Sequence, residues 1–344
     1  MLKEHQKVLI YMEGHIDSDY GKMGMGVIRY LKNPIVGVID STHAGKKMNA
    51  LFNFAEPIPI FDSLKEAQSQ RAEVLILGIA PSGGKIPTSW LPVIEKALEL
   101  GLSIVNGLHD LLQPDWQHQI KQPETQWIWD VRVPQFIPKI ASGKAAQLNN
   151  KRVLFVGTDM AVGKMTAALE IYQWLKTAKT KVGFVATGQI GITITGQGIP
   201  LDAFKVDHAC GAVEQAVLAQ AENEIVLIEG QGSLLHPGST ATLPLMRGSC
   251  PTALILCHGA QKTHLRSPSE IQIPDLKAFI SLNENLCTVC GIFPQASVIG
   301  IALNTSNLSY EEAKMTILQM EAETQLPVQD LVRFGAEKLG RLLV

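Results

Sequence analysis

The sequence predicts an α/β protein: an N-terminal Rossmann-like domain followed by a P-loop NTPase-like parallel-sheet domain. Three observations carry this expectation. Short continuous apolar runs alternate with helical stretches, as parallel strands covered on both faces require. A glycine-rich stretch at 157–164 follows one such run and opens a helical pattern, in the manner of a phosphate loop. A proline-bearing, polar stretch in mid-chain separates two sets of alternating elements. The chain has 344 residues, too many for one ordinary core and suited to two domains. The boundaries read from it are 1–130 for the first domain, 131–150 for a linker and 151–344 for the second.

The elements follow in order. Residues 7–12 and 34–40 are buried-strand runs, the second ending in Asp40. The segment between them is a glycine-punctuated loop and a brief helix at 25–31. Asp62, Ser63 and Glu66 carry the start signal of a capped helix. Residues 73–79 form a central strand leading to the glycine-rich loop 80–85; a helix over 90–100 stops at Gly101, and another strand begins at 102–105. The second domain is expected to hold strands near 152–156, 182–186, 224–229, 251–257 and 298–303. Its helices fall near 164–178, 208–221, 275–286, 309–322 and 335–343.

Composition narrows the function. The chain is 46% hydrophobic and 18% charged, with a formal net charge of −2, so it offers no concentrated basic surface for nucleic acid or anionic membrane. No apolar run approaches the roughly 20 residues that span a bilayer. The opening residues read as a charged lead into a strand rather than a signal peptide. Five cysteines, an odd number, fit reduced thiols better than a disulfide framework. A cytoplasmic enzyme or binding protein with a small-molecule substrate is expected, and self-association as a homo-oligomer is left open.

The P-loop stretch carries the most chemistry. A phosphate needs several backbone N–H groups in one concavity, a helix N-terminus behind them and a mobile cation. Gly157, Thr158, Asp159, Ala161, Val162 and Gly163 supply the loop, and Lys164 the cation. Two departures stand out. Five residues rather than four separate Gly157 from Gly163, and Met165 stands where a Ser or Thr ordinarily binds Mg²⁺, with Thr166 one position later. Binding of a phosphate is therefore favoured over its hydrolysis.

Other residues are weighed beside this loop. Glu229 ends an apolar run, where such folds place a metal-holding acid; a strand-end Glu facing solvent is the alternative, and the P-loop upstream tips the balance to the functional reading. The loop 187–200 lies where open sheets bind ligands and is expected as a substrate loop. Asp207 suits a helix N-cap. His208 and His236 are candidate general bases, since a neutral imidazole can deprotonate an amine near pH 7, against the commoner role of a structural hydrogen-bonding residue. Asn304, leaving a late strand, could read a base with its carboxamide or simply make a turn. Arg247 and Arg266 could grip a carboxylate bidentately, or be solvated surface. Cys287 and Cys290 lack the second close pair that a zinc site needs.

These residues resemble known families. The loop ending at Lys164 is similar to the long P-loop of dethiobiotin synthetases, and Glu229 with Gly230, Gln231 and Gly232 to their metal-binding segment. Those enzymes also carry a lysine after the second strand of this domain, which 183–188 lacks. A nearly full-length resemblance is to the two-domain family that includes D-glutamate N-acetyltransferases. It rests on 37–45, 78–85, 107–109, the P-loop through Thr166, and 302–305. The stretch from Gly37 to Pro81 also resembles CoA-binding domains of acyl-CoA synthetases. The resemblance implies acetyl-CoA as cofactor and a D-glutamate-like acceptor. An acyl-CoA thioester brings phosphates to be held and none to be cleaved, which agrees with Met165. The alternatives are an ATP- and Mg-dependent ligase or kinase using Lys164, Thr166 and Glu229, and a non-catalytic nucleotide-binding protein.

Overall fold

The computed structural model describes residues 2–344 apart from Ser82, Val289, Cys290 and Ile292. It contains two units, Met1–Pro134 with Gln189–Pro200, and Gln135–Gly188 with Leu201–Val344.

The first unit is built on a parallel sheet of β1 (Val8–Tyr11), β2 (Ile35–Ile39), β3 (Ile60–Phe61), β4 (Val74–Leu77), β5 (Ser103–Asn106) and β6 (Ile128–Asp130). Their order is β3-β2-β1-β4-β5-β6, the Rossmann arrangement, with its switch point between β1 and β4. Helices α1 (Lys22–Tyr30), α2 (Met48–Leu51), α3 (Leu91–Glu99) and α4 (Gln113–Trp116) make the crossovers. All four residues of β1, β4 and β5 are buried, because helices cover both faces and leave no polar side to the strand. Leu9, Tyr11, Leu75, Leu77, Trp90, Ile94 and Ile104 belong to one apolar cluster, in which the Tyr11 and Trp90 rings meet edge-on at 4.3 Å.

Two expectations for this half change. The sheet continues through β6, a strand not among those expected, at the very end of the 1–130 domain where the alternation of strands and helices gives way to the proline-bearing stretch. The Asp130 carboxylate there accepts hydrogen bonds from Asn106 Nδ2 at 2.8 Å and from the Leu112 and Gln113 N–H groups. The capped helix at 62–66 is only a 3-10 turn, Glu66–Gln70. Its reciprocal bonds are present, Asp62 N–H to Glu66 Oε2 and Glu66 N–H to Ser63 Oγ, but Arg71 then turns left-handed and ends it.

The second unit's sheet comprises β7 (Lys151–Gly157), β8 (Val182–Val185), β9 (Ile225–Ile228), β10 (Ala253–Gly259), β11 (Ser297–Asn304) and β12 (Val328–Gln329), in the order β12-β11-β10-β7-β9-β8. Its helices are α5 (Lys164–Thr177), α7 (Val206–Leu218), α8 (Thr242–Ser249), α9 (Leu276–Thr288), α10 (Tyr310–Thr324) and α11 (Glu337–Gly340), while α6 (Gln189–Thr195), between β8 and β9 in the chain, falls in the first unit. The expected 335–343 helix shrinks to the four residues of α11. Strand β7 lies centrally between β9 and β10, so the P-loop leaves the middle of the sheet's carboxyl edge.

Residues 135–150, read as a linker, are tied into this second unit. Glu214 of α7 accepts the N–H groups of Ser142 and Lys144 at 2.9 and 2.7 Å. Arg152, 1% exposed, donates to the carbonyls of Leu148, Asn150, Ser249 and Cys250. A buried guanidinium persists when its donors are satisfied in this way. Half of the loop expected over 187–200 is instead helix: α6 belongs to the first unit, where it packs on α1, and its Gln189 lies against Gly107.

Candidate functional site

The site is assembled at the carboxyl edge of β7, β9 and β10. Strand β7 runs into Gly157, after which Ala161 and Gly163 adopt left-handed backbone, with φ of 55° and 98°. Glycine takes such angles freely; for Ala161 they cost energy that the rest of the loop must supply. Val162 turns inward and is 3% exposed. A Cβ on Gly157 would meet Val162 Cγ2 at 2.9 Å and Lys164 Nζ at 3.0 Å, so the loop closes over a glycine and nothing larger. Helix α5 then begins at Lys164, its first N–H groups directed back toward the loop.

Lys164 is 7% exposed and donates to the Asp159 carbonyl at 2.8 Å. Burial lowers its pKa to about 8, against the opposing pull of Cys257, Asp159 and Glu229. Beside it, Cys257 on β10 is pushed up to about 12 by burial, with Lys164 opposing, and stays a thiol. Thr158 donates its N–H to the Cys257 carbonyl, and its hydroxyl lies 2.8 Å from His258 Nδ1. Burial, then Lys262, lowers His258 to about 4, so this imidazole is neutral at pH 7.

Asp159 is an acid inside an anion loop, and the structure accounts for it. Its carboxylate accepts Lys262 Nζ at 2.5 Å, the Arg266 N–H at 2.8 Å and the Met160 N–H at 2.7 Å. Burial pushes its carboxyl up, but these hydrogen bonds and the Lys262 charge outweigh it, and the pKa lies below its ordinary value. The loop after β10 is thereby pinned to the P-loop. Sequence reasoning missed Lys262 because nothing in its neighbours distinguishes it; only the fold brings it to Asp159 across 103 positions.

Glu229 follows β9 and is 3% exposed. Its Oε2 accepts the Thr187 N–H at 2.8 Å and the Gly188 N–H at 3.3 Å. Burial raises its pKa to about 7, partly offset by those two bonds and by Lys164. The glycine after it is required sterically, since a Cβ on Gly230 would stand 1.6 Å from the Phe155 carbonyl oxygen. The expectation of Glu229 as a metal ligand fits poorly. One of its oxygens is committed to backbone N–H groups, and Met165 occupies the position of the usual hydroxyl ligand, with Thr166 about 100° further round the helix. Among the described residues no three His, Cys, Asp or Glu side chains cluster to hold a metal.

The remaining candidates are divided. Arg266 is brought to the P-loop by its backbone bond to Asp159. Arg247 is not: it lies in the last turn of α8, over the Phe293 ring at 5.3 Å, where the chain turns into the start of β10 at the opposite edge of the sheet. Asn304 ends β11 in register with Gly259, exposed, with its side-chain oxygen accepting the Ser306 N–H, so that oxygen makes a turn. Both ring nitrogens of His236 are engaged: Nε2 lies 2.6 Å from the Ser267 carbonyl and Nδ1 accepts the Gly238 N–H. No lone pair is left in that arrangement for a substrate proton, which corrects its expected role as a base. His208 sits half-buried in the first turn of α7. Asp207 does not cap that helix; Lys205 is the N-cap, and Asp207 in the first turn favours the helix dipole instead. Cys290 and Ser82 lie outside the described residues; Cys210, Cys250, Cys257 and Cys287 are free thiols.

Two parallel-sheet domains, Rossmann-like first and P-loop second, define the class of this protein. Family models give the same order: a Rossmann-like domain of unknown function matches 41–134 and a P-loop domain of the same family matches 139–340. The chain belongs to this family, DUF1611. A crystal structure of a DUF1611 family protein from Anabaena variabilis is similar along nearly the whole chain, with a TM-score of 0.94 and 44% identity over 98% of this chain and 99% of that one. Two curated relatives are named D-glutamate N-acetyltransferase. The relative from Tritonibacter scottomollicae is 38% identical over 80% of this chain and 83% of its own length; that from a Pseudoalteromonas species is 36% identical over the same shares. Among the described residues no helix is long and apolar enough to cross a membrane.

Proposed function

We propose that this protein is an acyl-CoA-dependent N-acetyltransferase acting on a small acidic amino acid of the D-glutamate type. The observation that carries the reading is the identity of 36–38% over 80% of the chain to relatives named for that activity. The site supports it. The left-handed loop, the start of α5 and Lys164 make a cradle of N–H groups with one buried cation, which suits the phosphates of a CoA donor. The thioester supplies the driving force for acyl transfer, so no bound γ-phosphate has to be broken and the hydroxyl missing at Met165 is not needed. In this reading Lys164 and the 157–163 amides hold donor phosphates, and Arg266 engages the acceptor carboxylate. The amine nitrogen of the acceptor forms a bond to the acyl carbon as the carbon–sulfur bond breaks.

Calorimetry of acetyl-CoA, CoA, ATP and ADP against the wild type and Lys164→Ala tests the donor assignment. The expected result is a preference for the CoA ligands that falls about 10- to 100-fold in the variant, the worth of a charge-assisted hydrogen bond. Thiol release from acetyl-CoA across D- and L-amino acids tests the reaction. Preference for ATP with no thiol released on any acceptor would reject the reading.

A further inference from the structure

We propose that Lys262 is a second phosphate-binding cation of the P-loop, held beside it by Asp159, and that Lys164 and Lys262 together select a diphosphate over a single phosphate. This rests on the reading of the P-loop as a phosphate site, whether the diphosphate belongs to CoA or to a nucleotide, and not on the acetyl-transfer step. All of its residues lie in the second unit.

Strand β10 ends at Gly259, and the chain reverses at once. The Lys262 N–H donates to the Gly259 carbonyl at 3.1 Å, with Gln261 left-handed at a φ of 61°. The lysine stem folds back over the glycine, since a Cβ on Gly259 would meet Lys262 Cδ at 3.3 Å. Cys257 pairs with Gly157 in the parallel register of β10 and β7, so the two chains leave the sheet side by side, one into this turn and the other into the P-loop. Lys262 Nζ thereby meets Asp159 Oδ2 at 2.5 Å, while Lys164 Nζ donates to the carbonyl of the same residue at 2.8 Å. Two ammonium groups flank one loop residue. They differ in access, because Lys164 is 7% exposed and the Lys262 side chain 30%.

The charges at the loop leave an excess that an anion answers. Lys164 forms no ion pair among the described residues, although it is buried, and its hydrogen-bond partner is a neutral carbonyl. Asp159 is fully charged, its pKa lying below the ordinary value, and it serves Lys262. Glu229, raised to about 7, carries only part of a charge at neutral pH, and His258, lowered to about 4, carries none. The Asp159 carboxylate is moreover an anion already bound at the edge of the loop, by Lys262 Nζ and the Met160 and Arg266 N–H groups. An ammonium with backbone N–H groups is the donor set that a phosphate oxygen uses. Lys262 gives Asp159 one of its three donors, so it can hold a phosphate oxygen without leaving the carboxylate. An N–H cradle with the buried Lys164 takes one phosphate. The more exposed Lys262 takes the next.

The test is calorimetry of acetyl-CoA, ADP, AMP, inorganic pyrophosphate and inorganic phosphate in magnesium-free buffer, against wild type, Lys262→Met, Lys262→Arg and Asp159→Asn below their melting temperatures. Lys262→Met is expected to lose about 10- to 100-fold for the three diphosphate ligands, the worth of a charge-assisted hydrogen bond, and little for AMP and phosphate, so that the preference for ADP over AMP falls by about fivefold or more. Lys262→Arg keeps the charge and the preference. Asp159→Asn removes a negative charge from beside the ligand, so it keeps the preference and binds the diphosphates no more weakly than wild type. A pair that merely shapes the loop gives a different result, with Lys262→Met and Asp159→Asn weakening all five ligands alike. A smaller fall in the preference in Lys262→Met, or an equal fall in Asp159→Asn, overturns the proposal. Wild type that binds none of the five ligands rejects the phosphate reading and this proposal together. Wild type that binds them but releases no thiol from acetyl-CoA rejects the acetyltransferase reading alone, and the preference still decides the role of Lys262.

Discussion

The Asp159–Lys262 pair gives the sharpest test of how the P-loop is held. Asp159 is 1% exposed and Lys262 30% exposed, at 2.5 Å, and two backbone N–H groups share the same carboxylate. Removing one partner of a fully buried pair costs about 3–5 kcal/mol. Partial exposure of Lys262 screens part of that, and asparagine keeps one acceptor oxygen, so Asp159→Asn is expected to cost about 2–3 kcal/mol. At about 2–4 °C per kcal/mol for a domain of this size, the melting temperature should fall by about 4–12 °C. The assay is thermal unfolding of Asp159→Asn, Lys262→Met and the double variant, giving a double-mutant cycle. A coupling of about 1–2 kcal/mol is expected at pH 7. The sign with pH follows from the lowered Asp159 pKa. The stabilisation is complete above the ordinary value of 3.8 and is lost as pH falls through the lower folded-state value. Additivity within about 0.5 kcal/mol at pH 7, or a coupling that grows in acid, would refute the reasoning.

Two further outcomes follow from the same geometry. Glu229 is raised from 4.5 to about 7 by burial, so the folded state holds its proton more tightly than the unfolded chain. Its contribution is present below pH 4.5 and lost as pH rises through 7, by up to about 3 kcal/mol; Glu229→Gln should remove that slope between pH 5 and 7, and a variant with an unchanged slope would contradict the assignment. A Cβ on Gly211 would stand 1.6 Å from the Lys139 carbonyl oxygen and 3.2 Å from the Ala141 nitrogen. Gly211→Ala should therefore lift residues 139–141 off α7, speed tryptic cleavage after Lys139 and lower the melting temperature by about 5 °C or more. Unchanged cleavage and melting would show that the segment is not held there.

The legible part of this protein was local. Apolar runs at β1, β4, β7, β9 and β10 declare buried parallel strands because covering helices leave those residues no polar face. The loop from Gly157 to Lys164 declares itself because few backbones can curl around an anion without glycine. Resemblance added the family and the order of the domains, which the matched models bear out.

What the tertiary structure decided was every relation between distant parts of the chain. Lys262 and Asp159 are unremarkable until β10 runs beside β7 and sets them together. Arg247 and Arg266 look alike in sequence, yet one ends a helix at the far edge of the sheet and the other is tied to the P-loop. His236 reads in sequence as a candidate base, yet the fold engages both of its ring nitrogens with backbone. Helix α6 was hidden for the same reason, since a glycine- and threonine-rich segment has little helical preference of its own and folds on the surface of α1. Local pattern reports what a residue does to its own backbone, whereas charge pairing, burial and the tautomer of an imidazole depend on partners that only the folded chain supplies.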